Sequence, residues 1–165
     1  MIRVLASAVL ALGAIQPTLA QAQDEDQPPA CTTWSAAMQD DEGGQVFTAS
    51  ACAEDRPDAM LMLTCSAGRM FIRYDLAAGA ERSPGLSERA GVDFNIGHST
   101  QRVLMQHQAM DGLFAAEVVA NGPLVALMAS GESLRISESG GIYPEHAFRL
   151  AGSSAALTAL LARCR

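Results

Sequence analysis

Four cysteines limit the folds open to this chain more than any other feature. They are Cys31, Cys52, Cys65 and Cys164, and they reach from the first third of the sequence to its last residues. An even number of cysteines in an exported protein is typical of a disulfide framework. No C-x-x-C pair is present, which disfavours a zinc knuckle and a thioredoxin-like redox site. The sequence therefore predicts two bridges, with three possible pairings.

The N-terminus supports export. Met1-Ile2-Arg3 supplies a positive charge, residues 4–15 are apolar, and Pro17 breaks any helix that follows. Ala20-Gln21-Ala22 matches the cleavage pattern, so we predict a signal peptide over residues 1–22; cleavage after Ala20 is the alternative. The apolar run is shorter than the roughly 20 residues that span a bilayer, so we expect no stable membrane insertion after cleavage. The predicted location is the bacterial periplasm or the exterior.

The remaining chain divides at a polar stretch. Residues 23–30 are acidic and contain Pro28-Pro29, which predicts a disordered spacer before one domain over residues 31–165. The full chain of 165 residues carries a formal net charge of −7. Nucleic acids and anionic membranes attract clustered positive charge, so this balance disfavours both as partners.

Alternating apolar residues predict two β-hairpins. The first joins residues 59–65 to residues 70–76, and the second joins residues 92–96 to residues 103–109. A short helix is predicted over residues 124–130, and strands are predicted over 45–50, 133–137 and 146–150. Leu157, Leu160, Leu161 and Cys164 recur at helical spacing, which predicts a final amphipathic helix. The predicted fold is α+β: an antiparallel sheet of about six strands, stapled by disulfides, with the C-terminal helix on one face.

These elements favour one disulfide pairing. Cys31–Cys52 would tie the N-terminal segment to the next strand, and Cys65–Cys164 would tie a central strand to the last helix. The second bridge closes the longer loop and is therefore expected to stabilise the protein most.

The order of elements resembles that of small bacterial envelope proteins, including the VasI-like proteins associated with type VI secretion. The matching features are a strand ending in cysteine, a strand with arginine and aromatic residues, a short helix before a strand, and a phenylalanine strand followed by glycine, helix and cysteine. Here they are Leu61 to Cys65, Met70 to Tyr74, Leu124 to Ile136, and Phe148 to Cys164. The resemblance covers about 100 of the 165 residues. It implies an accessory envelope protein and carries no catalytic residues over.

No catalytic, cofactor or metal motif is readable. His98 falls in a predicted turn, His107 on the apolar face of a strand and His146 at a strand start, without the spacing of a zinc site. A G-x-S-x-G nucleophile motif is absent, and four oxidised cysteines leave no free thiol. We therefore expect a protein that is not an enzyme and needs no cofactor.

One loop suggests a more specific activity. Ser139, Gly140 and Tyr143 match the S-G-x-x-Y pattern of periplasmic inhibitors of c-type lysozyme, although the companion motif of those inhibitors contains a lysine and this chain has none. The sequence thus leaves three hypotheses. The first is a non-catalytic periplasmic protein that binds another envelope protein, and the alternative is an inhibitor of a cell-wall hydrolase such as a lysozyme. The third is an enzyme of unrecognised type, which would need a deep pocket that gathers His107 or His146 with carboxylates.

Overall fold

The structure is a computed structural model that describes residues 30–41 and 43–164. The predicted signal peptide and the predicted spacer up to residue 29 lie outside the described residues. Within the described residues, nine strands and two α-helices follow a 3-10 turn at Ala30–Thr32. The strands are β1 (Ser35–Asp41), β2 (Gly44–Cys52), β3 (Met60–Ser66), β4 (Arg69–Tyr74), β5 (Arg89–Ile96), β6 (Ser99–Gln108), β7 (Leu113–Val118), β8 (Ser133–Glu138) and β9 (His146–Arg149). Helix α1 covers Pro123–Ser130, and helix α2 covers Ser153–Arg163.

All nine strands belong to one antiparallel sheet in the order β1-β2-β3-β4-β7-β6-β5-β8-β9. The α+β class and the C-terminal helix are confirmed, but the prediction of about six strands is wrong. One of the additional strands is β1, whose polar end, Gln39 to Asp41, pairs with the start of β2. Strand β1 has no clean apolar alternation because it is an edge strand with side chains exposed on both faces.

Alternation along each strand places the core on one face of the sheet. Tyr74, Phe94, Phe114 and Phe148 are fully buried there, together with the aliphatic residues of both predicted hairpins. Helix α2 packs over β1, β2 and β3 and lies beside α1. Leu157 and Leu160 of its predicted apolar face are buried. The opposite face of the sheet carries mostly polar and charged side chains.

Both favoured disulfides are confirmed. Cys31 is bonded to Cys52, and Cys65 is bonded to Cys164, with sequence separations of 21 and 99 residues. The longer bridge joins the end of β3 to the residue that follows α2. It therefore holds the C-terminal helix against the half of the sheet on which that helix packs.

Strand β9 closes the fold by bonding to segments at the other end of the sheet. The Glu54 backbone N–H donates to the Ala147 carbonyl at 2.8 Å, and the Trp34 indole N–H donates to the Arg149 carbonyl at 2.9 Å. Gly152, the residue before α2, adopts φ +83°, and a Cβ there would lie 2.8 Å from the Trp34 carbonyl oxygen. The close approach of these backbones requires glycine at that position.

Candidate functional site

The predicted inhibitor loop lies between β8 and β9, and hydrogen bonds from its backbone hold it in place. The Glu138 carboxylate accepts the Gly140 N–H at 2.7 Å and the Ile142 N–H at 3.0 Å. The Ser139 N–H donates to the Gly91 carbonyl at 2.8 Å. These bonds shape a compact loop whose outward apolar side chain is Ile142.

Tyr143, the aromatic residue of the S-G-x-x-Y pattern, points into the protein. Its side chain is buried, with its ring edge-on to Phe114 at 5.6 Å between centroids and the Arg82 guanidinium 5.5 Å from its ring centroid. Burial raises the pKa of the Tyr143 hydroxyl to about 12. The structure therefore gives Tyr143 a packing role, and the loop does not offer this side chain to a partner's cleft.

The three histidines lie in three different environments. His98 is exposed in the turn between β5 and β6, as predicted. His107 is buried on the core face beside Phe114, and its Nδ1 has no hydrogen-bond partner among the described residues. His146 is buried with its Nδ1 3.1 Å from an Asp55 carboxylate oxygen and its Nε2 3.2 Å from the Ala78 carbonyl oxygen.

Of the described side chains, His146 and Asp55 most resemble a catalytic pair, but both ring nitrogens of the histidine already have hydrogen-bond partners. Asp55 and the Ala78 carbonyl are both acceptors, so the two bonds form together only when the imidazole carries both protons. Burial alone would raise the pKa of Asp55, but hydrogen bonds from His146 and from the Ala147 N–H bring it below its ordinary value. This arrangement ties β9 to the segments after β2 and β4, which is a structural role.

A cleft of about 390 Å³ opens on the outer face of the sheet. In its lining, the Arg73 guanidinium bonds to Asp41 at 3.0 Å and also to Asp111, so it links the end of β1 to the β6–β7 turn. Met62 and Leu113 also line the cleft, so its surface is a mixture of charged and apolar groups. Among the described residues, no group of three or more histidine, cysteine, aspartate or glutamate side chains could hold a metal ion.

The sheet itself has an opening between β6 and β7. These strands pair only over Gln106–Gln108 and Leu113–Ala115, whereas β6 pairs with β5 along Ser99–Gln106 and β7 pairs with β4 along Phe114–Val118. Beyond Gln106 and Ala115 the two strands separate. A cavity of about 320 Å³ lies between them, closed at one end by the Gly122–Leu124 segment. We call this cavity and its two strand borders the sheet opening.

Apolar side chains are exposed at the sheet opening. Leu104 of β6 is 65% exposed and Val119, just after β7, is 75% exposed. Half-buried Val103 and Val118 lie deeper on the two borders. Such a concentration beside a cavity is typical of a surface that another molecule covers.

The charges beside the sheet opening are already paired. On the β6 border, Arg102 binds Asp93 with two contacts of 2.6 Å, and that interaction lowers the pKa of Asp93. On the β7 border, Arg69 binds Glu117 with two contacts, and that interaction lowers the pKa of Glu117. The lining thus combines compensated charge with exposed apolar surface.

The sequence contained one signal for this site. Leu104 interrupts the polar face of β6, where its neighbours on that face, Arg102 and Gln106, are hydrophilic. Sequence reasoning did not find the sheet opening, because pairing partners of a strand cannot be read from its own alternation.

The fold defines a class: a disulfide-bridged α+β protein built on one antiparallel sheet. No protein-family model matches the chain, and no curated protein matches it. Among solved structures, the chain is similar to the crystal structure of invasion associated protein B from Bartonella henselae. The TM-score is 0.54 and the identity is 14%, over 83% of this chain and 97% of that chain. The likeness shows a shared fold.

Within the described residues, no helix has both the length and the hydropathy needed to cross a membrane.

Proposed function

We propose that this is a non-catalytic protein of the bacterial periplasm or exterior that binds another envelope protein. The observation that carries the proposal is the sheet opening, where Leu104 and Val119 expose apolar surface beside a cavity. Apolar side chains that converge on one concave surface are the usual core of a protein–protein contact.

The disulfides support the proposed compartment. Two disulfides account for all four cysteines, and such bridges persist in oxidising compartments rather than in the cytosol. The predicted signal peptide is consistent with that location. The resemblance to VasI-like proteins would place the partner in a secretion system.

The function is tested by photocrosslinking in the native host. A photoreactive amino acid replaces Leu104 in one strain and Leu86 in the other. Leu86 is a matched control because it is also a leucine, is 81% exposed and does not line the sheet opening. We expect one envelope protein to be crosslinked through position 104 and not through position 86.

A second substitution checks that the contact is apolar. With the photoreactive residue at position 104, Val119→Asp should reduce the crosslinked product at least tenfold without changing the amount of protein. Equal crosslinking from positions 86 and 104, or no crosslinked product from position 104, would refute the proposed function.

A further inference from the structure

We propose that the sheet opening accepts one uncharged, extended segment of the partner as an added strand along β6. This inference rests on the proposed function and specifies how the partner binds. It follows from which backbone groups of β6 face the opening.

The direction of those groups follows from the β5–β6 hairpin. Its turn has two residues, Gly97 and His98, which makes Ile96 and Ser99 the first hydrogen-bonded pair. Every second residue of β6 after Ser99 then bonds to the β5 side. The 2.9 Å bond from the His107 N–H to the Glu88 carbonyl has the same direction.

The intervening residues present their N–H and C=O groups to the other side. Gln106, which has this alternate direction, pairs with Ala115 of β7. Thr100, Arg102 and Leu104 have the same direction as Gln106, and no described strand pairs with them on that side. On β7, Glu117 lies two residues beyond Ala115, and its backbone N–H and C=O groups face the opening in the same way.

An unpaired strand edge is a template for another extended chain. Main-chain hydrogen bonds provide the affinity in this type of binding, and pockets for alternate side chains provide the selectivity. The β6 edge is interior to the sheet rather than at its end, so a bound strand would have β6 beside it and β7 on its far side. The edge is therefore shielded from indiscriminate pairing.

The charges indicate what the added strand carries. Arg102 and Glu117 are both satisfied by ion pairs within the protein, so a charged side chain on the ligand would find no free partner on either border. Apolar side chains would cover Leu104 and Val119 instead. The occupant best matched to this lining is an uncharged segment with alternating apolar residues.

Amide hydrogen exchange of the oxidised protein tests the free edge first. We expect the N–H groups of Gln101, Val103 and Met105 to exchange slowly and those of Thr100, Arg102 and Leu104 to exchange at least tenfold faster. Equal protection of the two sets would mean that the edge is closed, and would overturn the inference.

The second measurement adds a probe, a capped seven-residue peptide of alternating threonine and valine. The peptide should slow exchange at Thr100, Arg102 and Leu104 at least tenfold, whereas the same peptide N-methylated at alternate residues should not. No slowing at millimolar peptide, or equal slowing by both peptides, would overturn strand addition.

Two substitutions at one position separate backbone pairing from apolar contact. Leu104→Pro removes an N–H that faces the opening and leaves the bonds to β5 intact, as proline is tolerated at a free strand edge. Leu104→Thr keeps the N–H and removes the apolar side chain. We expect the proline variant to lose peptide binding at least tenfold more than the threonine variant.

The two proposals can fail separately. Specific crosslinking through position 104, combined with an unprotected β6 edge in the presence of the peptide, would retain the proposed function and reject the added strand. Should the proline variant fail to fold, the N-methylated peptide on the unaltered protein still decides between the two.

Discussion

The contribution of each disulfide can be calculated from the loop that it closes. In the chain-entropy model, a bridge stabilises the protein by restricting the unfolded chain, and the effect grows with the logarithm of loop length. The separations of 99 and 21 residues correspond to about 4.7 kcal/mol for Cys65–Cys164 and about 3.3 kcal/mol for Cys31–Cys52. We therefore predict a larger loss of unfolding free energy from opening the longer loop.

Each bridge is opened by reduction rather than by substitution, because Cys52 is completely buried and replacing it would add a packing cost. Two double variants each keep one bridge, so that the reductant opens that bridge alone. Cys31→Ala/Cys52→Ala retains only the long bridge, and Cys65→Ala/Cys164→Ala retains only the short one. The unfolding free energy of each is measured by urea titration with and without reductant.

The difference between oxidised and reduced forms of one variant is the contribution of its remaining bridge. The expected differences are about 4.7 and about 3.3 kcal/mol respectively. The reasoning is refuted if the short bridge stabilises its variant as much as the long bridge stabilises the other. That result would show that native-state contacts, rather than loop entropy, determine the effect.

Two further predictions concern stability. Asp55→Asn should lower the unfolding free energy at pH 7 by about 1 kcal/mol, a small value because the Asp55 side chain is half exposed. Since folding lowers the pKa of Asp55, its contribution to stability is complete above the unfolded pKa of about 3.9 and is lost as the pH falls through the folded pKa. The unfolding free energies of the variant and of the unaltered protein, measured by urea titration, should therefore converge in acid. A difference that stays constant with pH would contradict a role for the Asp55 charge on His146. Gly152→Ala should cost at least about 2 kcal/mol, because φ is +83° and the new Cβ would meet the Trp34 carbonyl. Gly97→Ala is the control and should cost about 1 kcal/mol, because φ is +57° and no atom lies within 4 Å of the new Cβ. Equal losses from the two variants would show that the clash at position 152 is relieved.

Features that depend on neighbouring residues in the chain were predictable. The hairpin turns at Ala67–Gly68 and Gly97–His98 both lie between alternating apolar runs, and the structure pairs those runs as expected. The last helix was also readable, because Leu157 and Leu160 recur at the spacing that puts them on one side. Local periodicity and turn chemistry act within a few residues, so sequence alone reveals them.

Features that depend on an edge or on a distant partner were harder to predict. Strand β1 is not predicted, because an edge strand lacks the buried face that produces alternation. Strand β7 gives no clear alternation, because Phe114 is its one fully buried side chain. The S-G-x-x-Y motif indicates Tyr143 as a recognition residue, but a motif does not reveal the direction of a side chain. Packing against Phe114 determines that direction.

By itself, the sequence determined the α+β class, the two hairpins, the C-terminal helix and the most favourable pairing of the four cysteines. These follow from spacing along the chain and from the tendency of the last helix to bury one face. Only the tertiary structure decided that β6 and β7 separate beyond Gln106 and Ala115. The two strands separate because β6 remains paired to β5 while β7 remains paired to β4. The paths of those neighbouring strands depend on the whole fold, so neither β6 nor β7 reveals the separation by its own sequence.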